Sequence, residues 1–142
     1  MIMQNLKCNV FFVLALIGLA LFPYSFAQAD EIPDTEGFSI ARLVVAEAVE
    51  DHEPVRPGST FSSKTMKVFC FLEARNIVER TPIVMLWSHE GKESARVDLV
   101  LKQGARWRTF SSKNIVGQRG AWRVEIMDTH RKSYGSLDFT VE

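Results

Sequence analysis

Arginine alternates with aromatic side chains in one short stretch of the chain, Arg106-Trp107-Arg108-Thr109-Phe110-Ser111-Ser112. That combination can clamp a carboxylate or phosphate bidentately while lying over aromatic rings. In an extended backbone Trp107 and Thr109 share one face and Arg106, Arg108 and Phe110 the other. Phe69 and Phe71 stand opposite the apolar row Met66, Val68, Cys70, Leu72 and Ala74, on a face that Lys67, Glu73 and Arg75 mark as largely solvated. If the strands follow an immunoglobulin-like order, those carrying Phe69, Arg96 and Arg106 lie in one sheet. Its outer face then gathers Phe69, Phe71, Arg96, Arg106, Arg108 and Phe110 as a candidate binding surface. The competing expectation is that these arginines cover the aromatics and pair with Glu73 and Asp98 only to complete the surface.

No other residues converge on a reaction. His52, His89 and His130 each fall in a different loop or strand end, whereas zinc needs three or four converging ligands, so solvated surface histidines and no metal are expected. Glu73, Glu90, Asp98 and Glu125 fall on solvent faces or turns, with no pair marked for acid and base roles. Ser111 and Ser112 lack the Gly-x-Ser-x-Gly context of a nucleophile elbow and are expected to satisfy backbone groups in a turn. Cys70 among apolar neighbours reads as a buried, inert thiol. No catalytic residue and no cofactor follow from these residues.

The elements that position these side chains have a period of two. Phe38 to Val49 is expected to be a strand, with a helix as the alternative that Ile40, Leu43, Val44 and Glu47 would suit, and Pro54, Pro57, Gly58 and Ser59 mark a loop. From Met66 the alternation is regular. Pro82 to His89 is apolar on both faces, as a central strand is, and Glu90-Gly91-Lys92 reads as a hairpin connection. Ala95, Val97, Leu99 and Leu101 then alternate with Ser94, Arg96, Asp98 and Lys102. Trp122, Val124 and Ile126 alternate with Arg123 and Glu125, and Leu137, Phe139 and Val141 close the chain. Trp87 and Trp122 are expected as core anchors. The fold class is all-β: an immunoglobulin/fibronectin-like sandwich of about seven antiparallel strands, with a small β-barrel as the alternative.

Of 142 residues, 46% are hydrophobic and 24% charged, with a formal net charge of zero. That balance argues against a nucleic-acid partner, which calls for a basic excess. Residues 30–63 hold eight acids against two bases, a balance of −6, while residues 64–142 hold fourteen bases against nine acids, +5. Lys7, the apolar run Val10 to Phe22, Pro23 and Ala27-Gln28-Ala29 have the layout of a secretory signal peptide over residues 1–29, with cleavage after Ala29 and no transmembrane segment left afterwards. An acidic lead-in, residues 30–37, then precedes a domain over residues 38–142. Cleavage removes Cys8 and leaves Cys70 alone, so no intramolecular disulfide is expected.

Three stretches taken together resemble the bacterial domain of unknown function (DUF) 2914 family over roughly residues 66–142. They are Val68-Phe69-Cys70-Phe71-Leu72-Glu73, Trp87-Ser88-His89-Glu90-Gly91-Lys92, and Arg106-Trp107-Arg108-Thr109-Phe110-Ser111-Ser112-Lys113 with Gly120-Ala121-Trp122-Arg123-Val124-Glu125. Met85 departs from the family, which often has His at that position. The resemblance implies a bacterial envelope domain and brings no activity with it. The functional expectation is a non-enzymatic, periplasmic or otherwise exported interaction module whose partner is an envelope protein or an anionic glycan. A structural or assembly domain is the alternative, and a hydrolase a distant third.

Overall fold

Alternating apolar residues can be buried on one side of a strand only if a second sheet covers them, and the chain builds two such sheets. The computed structural model describes residues 37–142. The signal-peptide expectation over residues 1–29, the cleavage site and most of the acidic lead-in lie outside the described residues. The first sheet contains β1 (Ser39–Glu50), β2 (Glu53–Pro57), β4 (Lys67–Ile77) and β7 (Gly104–Asn114), in the order β2-β1-β4-β7. The second contains β3 (Thr60–Phe61), β5 (Thr81–His89), β6 (Lys92–Leu101), β8 (Gly120–Met127) and β9 (Ser133–Val141), in the order β3-β9-β8-β5-β6. Pairing is antiparallel except for β3 against β9.

The sheets do not close into a barrel, so the structure is the expected all-β sandwich with the strand order of an immunoglobulin-like fold. Among the described residues nine strands replace the expected seven or so, because the stretch read as irregular before Met66 contains β2 and β3. Pro54 and Pro57 are tolerated in β2 since it is an edge strand, where a missing N–H costs no ladder bond on its open side. The sheets enclose Val45, Val68, Cys70, Leu72, Ile83, Met85, Trp87, Leu101, Trp122, Val124, Ile126 and Phe139. Met66 does not join the inner row as expected: it precedes β4 and is 68% exposed.

Trp87 and Trp122 are the expected core anchors, both essentially inaccessible. Trp87 Nε1 donates to Ser111 Oγ across the two sheets at 2.9 Å, and the Ser111 hydroxyl donates to Met85 Sδ at 2.8 Å. Ser111 is therefore inside the core of β7, not in a turn as expected. An indole N–H taken from water needs such an acceptor.

Cys70 is fully buried, and that burial pushes its thiol up to about 12. A thiol held protonated is neither nucleophile nor ligand. Native protein treated with iodoacetamide at pH 8 should stay unmodified at Cys70 by peptide mass spectrometry, and react there in guanidinium. Native modification at a rate comparable to that of the unfolded chain would contradict the packing described.

Candidate functional site

The outer face of the first sheet is built from the β4 residues that point away from Cys70 and Leu72. Across the ladder Phe69 lies opposite Ala46 and Ser112, Phe71 opposite Val44 and Phe110, and Glu73 opposite Arg42 and Arg108. Arg75 and Arg106 form the next such pair. Five of the six candidate residues are thus brought onto one face: Phe69, Phe71, Arg106, Arg108 and Phe110. Arg96 is not among them, because β6 pairs with β5 at the edge of the other sheet. After the short Lys102–Gln103 crossover, β7 returns to the first sheet, and Gly104 at its start adopts φ +150°.

The face is not uniformly solvated, which corrects the expectation for its middle. Phe71 is fully buried and Glu73 is 3% exposed, although both point away from the core. Their cover is the hairpin of β1 and β2. Glu53 pairs with Glu50 across that hairpin, eight residues along β1 from Arg42. A straight strand would hold those positions roughly 26 Å apart, more than two side chains can bridge. Yet Arg42 Nη2 lies 2.7 Å from Glu53 Oε2. The hairpin therefore folds back over the sheet as β1 leaves its pairing with β4 at Ala46. The Arg42 guanidinium lies 4.9 Å from the Phe71 ring centre.

Beneath the hairpin is a network of charges. Glu73 accepts from Arg75 at 3.0 and 3.1 Å and from Arg108 Nε at 3.1 Å, with Arg42 at 3.4 Å. Arg108 Nη1 also reaches Glu53 Oε1 at 2.8 Å and donates to the His52 carbonyl at 3.4 Å. Burial drives the Glu73 carboxyl upward, but hydrogen bonds from Arg75 and Arg108 and the charge of Arg106 together outweigh it, leaving the group below the usual carboxylate range. Glu53 is likewise held low, first by its hydrogen bond from Arg42. Phe110 is 43% exposed and meets the partly exposed Phe69 edge to face at 5.9 Å.

The remaining signature residues hold one another. Trp87 bonds Ser111. His89 stacks on Trp122 at 4.4 Å with Nε2 2.8 Å from the Arg119 carbonyl, so it is not the solvated histidine expected. Lys113 Nζ lies 5.8 Å over Trp122, and Trp122 Nε1 donates to the Gln118 carbonyl. The Ala121 N–H donates to Glu90 Oε1 at 2.8 Å, and Arg123 reaches both Asp138 and Ser136. Gly120, at φ +118°, is where that Glu90 carboxylate passes closest: an added Cβ would sit 1.8 Å from it. Gly120→Ala should cost more than about 1 kcal/mol, through the unfavourable φ and the displaced carboxylate. A urea midpoint equal to that of the parent would contradict this account.

Among the described residues no group of three or more His, Cys, Asp or Glu side chains could hold a metal ion, and no helix is long and apolar enough to cross a membrane. Sequence reasoning missed Glu53 and Arg42, the partners that complete the site. The available signal was an apolar pair, Phe69 and Phe71, on a face otherwise marked as wet.

Residues 80–141 match the model of a family described as "Protein of unknown function (DUF2914)". No curated protein matches the chain. Solved structures are similar at low level, two β-glucosidases among them. One is a β-glucosidase from Listeria innocua in complex with glucose, at 8% identity and TM-score 0.45 over 73% of this chain. The other is a selenomethionine-labelled β-glucosidase from Kluyveromyces marxianus, at 10% identity and TM-score 0.43 over 75% of this chain. The chain spans 15% and 14% of the length of those proteins. At such identities and scores the likeness bears on neither the fold nor the chemistry of this chain.

Proposed function

Residues 80–141 of this chain belong to the DUF2914 family, and from that premise we propose that the protein is a non-enzymatic interaction module of the bacterial cell envelope, binding an anionic partner through the outer face of β4 and β7. One observation carries the proposal: Arg42 and Arg108 already grip a carboxylate, that of Glu53, at 2.7 and 2.8 Å. Guanidinium groups fixed by neighbouring carboxylates are preorganised for a further anion. The partly exposed Phe69–Phe110 pair beside them offers apolar contact. The signal-like layout of residues 1–29 supports the envelope location.

Arg106 and Phe110 are the residues to test first, because both are exposed and neither holds the hairpin. The full chain should be retained on immobilised poly-glutamate and eluted by salt. Arg106→Ala with Phe110→Ala should lose most of that retention while keeping the parent circular dichroism spectrum. Equal retention of parent and variant would overturn the proposal.

A structural or assembly role is the second reading. It is favoured by β6 and β7, each long and paired on one side only, since an unpaired strand edge is a template for another chain. That role would appear as a salt-dependent change of oligomer mass on deleting residues 30–37.

A further inference from the structure

The hairpin tip occupies the anion site of its own sheet. Arg108 takes two neighbouring acceptors from it, the His52 carbonyl and the Glu53 carboxylate, while Arg42 takes the second oxygen of the same carboxylate. What the face holds is thus a short peptide, read through one backbone carbonyl and the acidic side chain that follows it. Lifting the hairpin would leave Glu73 alone among Arg42, Arg75, Arg106 and Arg108, with Phe71 uncovered beside them. Four positive charges against one negative call for an acidic replacement.

The hairpin carries left-handed backbone. Among the described residues six non-glycine residues have positive φ, and three of them are here: Asp51 at 49°, His52 at 60° and Arg56 at 50°. A two-residue turn of this hand favours Asn, Asp or Gly, and His also tolerates it, so Asp51 and His52 suit the turn and Arg56 is the departure. Left-handed backbone at other residues persists where surrounding contacts enforce it, and it concentrates in segments that switch. Here the turn is closed by the ladder pairing of Glu50 with Glu53, Arg56 is held by Glu47, and the ion pairs of Glu53 tie the tip to the sheet.

The geometry points to an autoinhibitory strap: the β1–β2 hairpin covers a binding site for an acidic peptide segment of a partner protein, and Glu53 stands in for the partner's carboxylate. This deepens the proposed function and rests on it. The occupant is assigned as a peptide because what Arg108 holds here is a peptide carbonyl, that of His52, together with the carboxylate of the next residue, Glu53.

The test uses the full chain and a fluorescein-labelled peptide copying residues 50–57, with titration by fluorescence anisotropy. Glu53→Gln removes the charge of the strap and leaves its backbone in place. It should bind the peptide about tenfold more tightly than the parent, because the competent open state is no longer suppressed by its own ligand. Amide hydrogen exchange should quicken over residues 51–57 and stay unchanged in β5 and β8. Arg108→Gln added to that variant should remove peptide binding.

If the parent binds and Glu53→Gln binds no more tightly, the strap is refuted while the proposed function survives. If a uronic-acid oligosaccharide binds to the variant and the peptide does not, the peptide assignment is overturned. Absence of binding to either probe, in parent and variant alike, would sink the proposed function itself.

Discussion

Trp87→Ala should lower the stability of the domain by about 3–5 kcal/mol, the usual range for deleting a buried tryptophan. That is a large share of the roughly 5–15 kcal/mol that holds a domain folded. The indole is fully buried, meets Phe139 edge to face at 6.2 Å and links β5 to β7 through Ser111. Truncation therefore removes packing and an inter-sheet hydrogen bond together, and it leaves the Ser111 hydroxyl with one partner fewer. A double-mutant cycle separates the two losses. Trp87→Phe keeps most of the ring but has no N–H, and Ser111→Ala leaves the indole N–H without its acceptor, which costs about 1–3 kcal/mol in a buried site. The double variant should cost less than the sum of the two single ones, by about 1 kcal/mol or more. Strict additivity in urea denaturation would mean that the bond contributes nothing to stability. Trp87 and Ser111 both belong to the signature stretches, so the same result would show that the signature records how the sheets are joined.

The strands from β4 onward were legible: most alternate cleanly, β5 is a short apolar run, and turn chemistry bounds them, as at Glu90-Gly91 between β5 and β6. β2 was hidden by Pro54 and Pro57, which punctuate a sequence like a loop although an edge strand accommodates them. The sheet assignment of Arg96 failed because a period of two identifies a strand and its faces but not its neighbours. β6 turns back on β5, and only then does the chain cross to β7. The site was half visible. Alternation together with the assumed immunoglobulin-like order placed Phe69, Phe71, Arg106, Arg108 and Phe110 on one face, while the hairpin that roofs its centre depends on β1 changing partners at Ala46, a tertiary event with no local signature. The acidic excess before residue 64 was visible in the sequence, and Glu53 is the member of it that the structure joins to Arg108.

Glu73 should dominate the acid limb of the stability curve. Its carboxyl sits below the usual carboxylate range in the folded protein, so the folded state binds its proton more weakly than the unfolded chain does. Its contribution is therefore complete above the unfolded value of about 4.5 and disappears as pH falls through the depressed folded value. Glu53 is shifted in the same direction and adds to the same limb. Urea midpoints of the parent should accordingly be level from pH 7 to about pH 5 and fall below it. Glu73→Gln should be weaker at pH 7 and should fall less steeply on acidification, so that the two curves converge toward pH 3. Removing one partner of a buried ion pair costs about 3–5 kcal/mol when the orphaned charge stays buried. Here the side chains of Arg108, Arg42 and Arg75 are 22%, 40% and 55% exposed and can turn to water. The loss at pH 7 should therefore lie at or below the lower end of that range, at about 1–3 kcal/mol. Parallel pH curves for parent and variant would show that Glu73 titrates alike in the folded and unfolded chain, and its ionisation would then contribute nothing to stability.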